Sequence, residues 1–182
     1  ICDYEKLKKT VKALDIDVIV NFAAESHVDN SIENSDEFIN TNINGTHNLL
    51  KLMHEFTIHK FVQISTDEVY GTLTEDDLAF TERTPLAPNS PYAASKTAAD
   101  LLCRSFYETY KYPITITRCS NNYGPNQHRE KLIPKLVHNI REGIKVPVYG
   151  DGKNIRDWVH VRDHCEAIDV VLHKGEDGEV YN

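Results

Sequence analysis

The chain reads Phe61-Val62-Gln63-Ile64-Ser65-Thr66-Asp67-Glu68 from residue 61 to residue 68. The first four residues form a short, mainly apolar run, which is typical of a strand buried on both faces. The polar residues after it mark the place where such a strand ends. In open sheets of parallel strands, ligands bind beyond the carboxyl ends of the strands. The stretch therefore predicts a buried strand, with Thr66, Asp67 and Glu68 at the edge where a site would form.

Strands and helices alternate on both sides of this stretch. Further strands are predicted at 18–22 and 114–117, helices at 4–15, 35–56, 90–110 and 132–141, and a short strand outside the main sheet at 146–149. Ser90 and Pro91 are typical of a helix N-cap and a first helical residue. Such alternation implies parallel units with right-handed crossovers. The sequence thus predicts an α/β fold with a doubly wound, Rossmann-like parallel sheet.

Polar clusters also follow the other two predicted strands. Residues 23–27 (AAESH) come after the first strand, and residues 119–123 (CSNNY) after the third. The carboxyl ends of neighbouring parallel strands meet at one rim of a sheet. We therefore expect the three clusters to converge there.

Tyr92 and Lys96 lie one helical turn apart, so their side chains share a face. A free tyrosine has a pKa of ~10 and is only about 0.1% ionised at neutral pH. A neighbouring ammonium, or a positively charged nicotinamide ring, stabilises the phenolate. The pair could then supply a base that removes a proton from a sugar hydroxyl as hydride leaves its carbon.

The spacing of this pair is not specific by itself. It recurs at Tyr4/Lys8, Tyr107/Lys111 and Tyr149/Lys153, where a solvated surface is the better interpretation. Tyr92 is distinguished by its place in the first turn of a capped helix. A hydroxyl from Thr66 could then reach the same substrate oxygen as Tyr92.

Asp67 and Glu68 would point to opposite faces if both stayed in a regular strand. If the chain turns at the strand end, both can reach one cavity. Two nearby carboxyls tend to separate their pKa values, so that one is protonated and the other ionised. Such a pair can remove water from a substrate, because the base takes a proton from carbon while the acid protonates the departing hydroxyl.

Other candidate binding residues allow two interpretations each. Asn121 and Asn122 form either a turn at a strand end or a contact to a cofactor carboxamide or a substrate phosphate. The cations Arg129, Lys131 and Arg156 are either solvated or part of a diphosphate clamp. The clamp is favoured for Arg156, since a guanidinium matches phosphate oxygens.

Composition limits the classes of function. The net charge of −8 over 182 residues argues against a nucleic-acid surface. We find no apolar run long enough to span a membrane and no signal peptide. Four widely spaced cysteines favour reduced thiols and a cytoplasmic protein. His160 and His164 lack an evident third ligand, so no metal site is predicted.

The chain resembles the extended short-chain dehydrogenase/reductase family, and within it the NAD-dependent 4,6-dehydratases of dTDP-glucose. The motifs that carry the resemblance are 22–29 (FAAESHVD), 65–71 (STDEVYG), 90–96 (SPYAASK), 119–125 (CSNNYGP), 130–134 (EKLIP) and 156–158 (RDW). The Thr-Asp-Glu triplet is the most specific. Related epimerases lack its acidic pair, related decarboxylases replace the aspartate by serine, and dehydratases of CDP-linked glucose tend to carry lysine in place of Glu68.

The resemblance implies an enzyme that dehydrates dTDP-glucose to dTDP-4-keto-6-deoxyglucose, with tightly bound NAD as a transient oxidant. Its catalytic residues would be Thr66, Asp67, Glu68, Tyr92 and Lys96. NAD would be lined by Phe22, Ala23, Ala24, Glu25, Ser26, Thr41, Tyr92, Lys96 and Asn122. The sugar nucleotide would contact Ser26, Thr66, Asn121, Lys131, Leu132, Tyr149 and Arg156. A homodimer is expected, through the helices near 35–56 and 90–110.

The family's glycine-rich pyrophosphate loop would precede Ile1, and much of its substrate domain would follow Asn182. We therefore expect a fragment, with residues 1–125 forming an incomplete dinucleotide-binding domain and 126–182 the start of the sugar-nucleotide region. We expect the fragment alone to bind NAD poorly and to be inactive. Two alternatives remain: a UDP-sugar decarboxylase or 4-epimerase of the same family, and a non-catalytic NAD(H) sensor.

Overall fold

The computed structural model describes residues 1–146, 148 and 150–182. The helices are α1 (Tyr4–Leu14), α2 (Val28–Glu33), α3 (Asp36–Phe38), α4 (Thr46–Glu55), α5 (Pro91–Tyr110), α6 (Leu132–Arg141) and α7 (Val161–Lys174). The strands are β1 (Val18–Asn21), β2 (Lys60–Thr66), β3 (Ile114–Cys119), β4 (Asn121–Tyr123), β5 (Trp158–His160) and β6 (Val180–Tyr181). A π-helical segment (Ile39–Gly45) precedes α4, and a 3-10 turn (Asp67–Tyr70) follows β2.

The main sheet has the order β1-β2-β3-β6, and every neighbouring pair is parallel. One face packs on α1, α4 and α5 through an apolar core that includes Leu50, Leu52 and Phe61. The other face packs on the second half of α7, where Ile168 and Val171 contact Val62 and Ile64. Helices on both faces of a parallel sheet confirm the predicted α/β fold.

β2 lies in the interior of this sheet. Phe61, Val62 and Gln63 are almost completely buried, as the sequence predicts. Strand β1 differs from its prediction, because it lies at an edge of the described sheet and pairs there only with β2. Val18 is 38% exposed for that reason, and the strand ends one residue early, at Asn21.

The predicted helices 4–15, 90–110 and 132–141 are confirmed to within a residue or so at their ends. The stretch predicted as one long helix, 35–56, is helical but includes the π-helical segment. Within it, Asn42 is buried and bonded to neighbouring elements, and Gly45 allows close approach of the Ile1 side chain. The predicted strand at 146–149 includes residues 147 and 149, which lie outside the described residues.

The described chain forms two compact units. One comprises Ile1–Cys119 together with Ile168–Asn182, and the other comprises Ser120–Ala167. The second unit contains a separate two-stranded parallel sheet of β4 and β5. The division into functional domains at residue 125 stays a prediction.

Candidate active site

The chain turns sharply at the carboxyl end of β2, as predicted. Thr66 caps the 3-10 turn: its hydroxyl accepts a hydrogen bond from the backbone N–H of Glu68 at 3.2 Å. The same hydroxyl donates to Asp67 Oδ1 at 3.2 Å. The cap therefore holds both acidic residues in one turn, half-buried, rather than on opposite faces of a strand.

Tyr92 lies in the first turn of α5, which places it beside the 3-10 turn. Ser90 caps the helix, with its hydroxyl accepting from the N–H of Ala93 at 3.1 Å, and Pro91 occupies the first helical position. The N–H of Tyr92 donates to Ser31 Oγ at 3.2 Å, and the Tyr92 ring packs edge-on against Phe38. The phenol is consequently fixed in place, with only 9% of the residue exposed.

The surroundings of Tyr92 favour its protonated form. Burial raises the pKa of the phenol, and the negative charges of Glu68 and Asp67 raise it further. A hydrogen bond with the side chain of Thr66 acts in the opposite direction. Thr66, Asp67, Glu68 and Tyr92 thus form one interacting cluster, in which the phenol needs additional positive charge to ionise near neutral pH.

Lys96 is buried one turn further along α5. Its ammonium donates to the main-chain carbonyl of Ile64 on β2 at 2.7 Å, and only 5% of the residue is exposed. Burial lowers the pKa of Lys96, and the carboxylate of Asp100 opposes this effect. The predicted action of Lys96 on the Tyr92 phenolate stays a prediction.

The residues predicted to line a cofactor lie mostly in the loop after β1. Phe22 is 60% exposed there. Ala23 and Ser26 are also exposed, while Ala24 and Glu25 are half-buried. Thr41 lies on the π-helical segment, a feature that is frequent at functional sites.

Sequence reasoning did not identify Asn42, which connects this loop to α5. Its side-chain oxygen accepts from the N–H of Glu25 at 2.9 Å, and its amide donates to the Glu25 carbonyl at 3.0 Å and to Ser95 Oγ at 2.8 Å. The Ser95 hydroxyl in turn donates to the carbonyl of Tyr92 at 2.7 Å. Asn42 therefore fixes the loop and the helix start relative to one another.

The second unit contains five of the residues predicted to bind ligands. Asn121 and Asn122 lie on β4, where Asn121 donates to the Asp157 carbonyl at 3.3 Å. Lys131 is the N-cap residue of α6, and Leu132 is its first residue, 47% exposed. Arg156 is exposed, and its guanidinium donates to the Ile155 carbonyl at 2.8 Å. Tyr149 lies outside the described residues.

His164 fixes the orientation of Asn122 in this unit. Because an amide oxygen only accepts, His164 Nδ1 donates to Asn122 Oδ1, at 2.9 Å. The Asn122 amide donates to the Ser120 carbonyl at 3.2 Å. No signal beyond the bare presence of a histidine could have predicted this pair, since its members are 42 positions apart.

Replacing His164 by glutamine is expected to weaken the acid sensitivity of folding. Burial lowers the pKa of His164 from its ordinary 6.5, so the unfolded chain takes up this proton first. The neutral His164 side chain therefore makes its full contribution to the stability of the fold at pH values above 6.5. This contribution is lost as the pH falls towards the lower pKa that His164 has in the folded state. Thermal unfolding of the full-length protein between about pH 7 and about pH 5 should show a smaller loss in His164→Gln.

The exposed His138 on α6 provides the control for this prediction. His138→Gln should retain the full pH dependence of the wild type. Equal acid sensitivity in His164→Gln and the wild type would contradict the assignment.

Neither a metal cluster nor a membrane-spanning helix appears in the part of the chain that the structure describes. Across residues 1–146, 148 and 150–182, no group of three or more histidine, cysteine, aspartate or glutamate side chains could hold a metal ion. Within the same residues, no helix combines the length and apolar character needed to cross a membrane. All four cysteines are free thiols.

A family model described as GDP-mannose 4,6 dehydratase matches residues 1–182, the whole chain. The chain is 56% identical over 168 residues to the low-salt glycan biosynthesis protein Agl12 of Haloferax volcanii, covering 92% of this chain and 54% of that protein. It is 53% identical over 175 residues to a dTDP-glucose 4,6-dehydratase of Xanthomonas campestris pv. campestris, covering 91% and 50%.

A similar solved structure is the dTDP-glucose 4,6-dehydratase of Bacillus anthracis in complex with NAD. It has 56% sequence identity and a TM-score of 0.90, and the match covers all of this chain and 55% of that one. The chain thus spans about half the length of the curated relatives it matches. These matches confirm the resemblance noted from the sequence motifs. Because the family model covers every residue and the relatives are about half identical, the chain belongs to the GDP-mannose 4,6 dehydratase family.

Proposed function

We propose that the full-length protein dehydrates dTDP-glucose to dTDP-4-keto-6-deoxyglucose, with bound NAD as the transient oxidant. The observation that carries this proposal is the turn after β2, which presents a hydroxyl and two carboxyls beside a buried phenol. A carboxyl pair beside a phenol can remove a proton, protonate a leaving group and deprotonate a hydroxyl. The likeness to a dTDP-glucose 4,6-dehydratase in complex with NAD supports the choice of substrate and cofactor.

The residues present fit the nicotinamide end of NAD. The exposed Phe22 and the small Ala23 lie in the loop after β1, while Tyr92 interacts with Thr66 at the end of β2 and Lys96 donates to the Ile64 carbonyl on β2. A glycine-rich pyrophosphate loop is not found in the sequence. When bound, NAD would accept hydride from sugar C4 and return it to C6. Its positively charged ring would also offset the burial and the carboxylates that raise the pKa of Tyr92.

Each residue of the cluster has a proposed task. Tyr92 takes the proton of the C4 hydroxyl, and Thr66 hydrogen-bonds the same oxygen. The ketone at C4 acidifies the C5 proton, which Glu68 removes. Asp67 has to be protonated at this step and gives its proton to the leaving C6 hydroxyl, so that a water molecule departs and a carbon–carbon double bond forms.

We propose seven contacts to the sugar nucleotide, which are Ser26, Thr66, Asn121, Lys131, Leu132, Tyr149 and Arg156. In an acidic chain, Lys131 and Arg156 supply the charge that a diphosphate requires. We propose Asn122 as a contact to the cofactor, oriented by His164.

Initial rates of water loss from dTDP-glucose, UDP-glucose and GDP-mannose would test the proposed substrate. The full-length protein should give the highest kcat/KM for dTDP-glucose. A higher kcat/KM for either of the other two would assign the site to that nucleotide sugar instead.

Replacing Asp67 by alanine should distinguish the proposal from a decarboxylase or 4-epimerase. A dehydratase needs an acid for the leaving C6 hydroxyl, so Asp67→Ala should lower the rate of water elimination by about 10² to 10⁴-fold. Oxidation at C4, followed by the absorbance of reduced nicotinamide, should persist. A decarboxylase or an epimerase would retain most of its turnover without this acid.

The sensor alternative makes a different prediction. A non-catalytic sensor would bind NAD(H) tightly and convert none of these sugar nucleotides, whereas the proposed enzyme does both.

We also propose that the protein is a homodimer that pairs through the helical stretches 35–56 and 90–110. In the described residues, α5 leaves the apolar Leu101 51% exposed, which a partner helix could cover. Sedimentation velocity of the full-length protein tests this point. The cytoplasmic location stays a prediction.

A further inference from the structure

Three charged side chains are buried together behind the candidate site. They are Lys96 and Asp100 on α5 and Arg118 on β3, each at most 7% exposed. Arg118 Nε donates to Asp100 Oδ2 at 2.9 Å. Buried charges are tolerated when they are paired and hydrogen-bonded. In this cluster, one carboxylate balances two positively charged side chains.

Lys96 and Asp100 are four positions apart on one helix, so they share a face. The Lys96 ammonium donates to the carbonyl of Ile64, two residues before Thr66 on β2. Lys96 is thereby fixed to the strand that presents the reactive turn. Burial favours loss of its proton, and the negative charge of Asp100 favours its retention.

Arg118 connects Asp100 with the far end of that turn. Its Nη1 donates to the Tyr70 hydroxyl at 2.8 Å, and Tyr70 is the last residue of the 3-10 turn that begins at Asp67. The Tyr70 hydroxyl donates in turn to Asn182 Oδ1 at 2.8 Å. The guanidinium therefore holds the carboxylate and the turn in one arrangement.

We propose that Asp100, held by Arg118, is a positioning residue that keeps the Lys96 ammonium charged against the Ile64 carbonyl, one helical turn from Tyr92. The role of this charge in the reaction rests on the proposed function. A cation at this position would favour the Tyr92 phenolate. In this proposal, Asp100 affects the reaction only through the charge of Lys96.

The other titratable groups near Lys96 cannot replace Asp100. Cys103 on α5 and Cys119 on β3 both face the ammonium. Burial raises the pKa of the Cys103 thiol well above its ordinary value, so this thiol is neutral. Glu68 and Asp67 act on Tyr92. Within the described residues, Asp100 is the carboxylate whose charge acts on Lys96.

The test is a pH titration of Lys96 in the full-length protein, followed by the Cε chemical shift after labelling with ¹³C-lysine. The Lys96→Met variant assigns the signal by its disappearance. Asp100→Asn removes the negative charge and should move the titration of Lys96 to lower pH. Arg118→Gln removes the cation that favours the ionised form of the buried Asp100, and should therefore also move the titration of Lys96 to lower pH.

Tyr70→Phe removes the hydrogen bond from Arg118 to the turn without removing a buried charge, and it should leave the Lys96 titration where it is in the wild type. This control separates the proposed role from a merely structural one. Asp100→Asn leaves the Arg118 charge unpaired and could prevent folding. The double variant Asp100→Asn/Arg118→Gln removes both charges of the pair, and Lys96 should still titrate at lower pH than in the wild type. An unchanged Lys96 titration in the double variant, or an equal shift in Tyr70→Phe, would overturn the proposal.

Kinetics with dTDP-glucose then separate this proposal from the proposed function. In Asp100→Asn we expect kcat to fall while KM is retained. If Lys96 shifts as expected but the wild-type protein removes no water, the proposed function fails and the positioning role stands. If the wild type removes water and Lys96 does not shift, the positioning role fails alone.

Discussion

Replacing Tyr92 by phenylalanine is expected to lower kcat/KM for dTDP-glucose by about 10² to 10⁴-fold in the full-length protein. The substitution removes the oxygen that accepts the C4 hydroxyl proton. It leaves the ring, and with it the edge-on contact to Phe38 and the Ser31 bond to the backbone. We therefore expect the loss to reside in the chemistry and the fold to be retained. Steady-state rates and circular dichroism would measure the two effects.

Tyr107→Phe is the matched control for this prediction. Tyr107 lies near the end of the same helix, and Lys111, the C-cap residue of that helix, follows it at the same spacing. The Lys111 ammonium lies 4.9 Å from the Tyr107 ring centroid. If Tyr92 is the base because of its place beside the turn after β2, and not because a lysine follows four residues later, Tyr107→Phe should retain the wild-type rate. Comparable rates in Tyr92→Phe and the wild type would exclude Tyr92 as the base.

Replacing Glu68 by glutamine is expected to stop the reaction after oxidation at C4. Glutamine keeps the size of the side chain and the backbone N–H that Thr66 caps, but it cannot take the C5 proton. Water elimination should fall by about 10² to 10⁴-fold, while reduced nicotinamide accumulates. Mass spectrometry and nicotinamide absorbance, recorded on the same samples, would separate the two steps.

The same variant has an expected pH effect. The charge of Glu68 raises the pKa of Tyr92, so its removal should lower that pKa. Oxidation in Glu68→Gln should therefore continue to lower pH than in the wild type. Glu75 lies in the exposed loop after the turn, and Glu75→Gln should change neither the rate of water elimination nor the pH dependence of oxidation. Normal water loss in Glu68→Gln would remove Glu68 from the proposed chemistry.

Local patterns predicted much of this fold. The cap at Ser90 and Pro91, the buried run in β2 and the turn at Asp67 each depend on neighbours in sequence, and each is confirmed. The parallel pairing of the strands was predicted because strands that alternate with helices are joined by crossovers, and it is confirmed. The position of β1 at an edge of the described sheet could not be predicted from its residues, because an apolar run does not show how many strands will pair with it.

Several features of the candidate site could not be predicted from the sequence, because they depend on contacts between residues that are far apart in the chain. The Asp100–Arg118 pair joins a helix to a strand, and His164 meets Asn122 across 42 positions. Asn42 lies in a stretch whose periodicity indicates an ordinary helix. Such contacts depend on tertiary packing, and no spacing in the chain marks them. The local environment of Tyr92 likewise appears only once Glu68 and Asp67 are placed around it.

The most direct test is mass spectrometry of dTDP-glucose after incubation with the full-length protein and NAD. We predict a nucleotide-sugar product that has lost one molecule of water. Unchanged dTDP-glucose, with NAD demonstrably bound to the protein, would contradict the central claim that the Thr66, Asp67, Glu68 and Tyr92 cluster dehydrates this sugar.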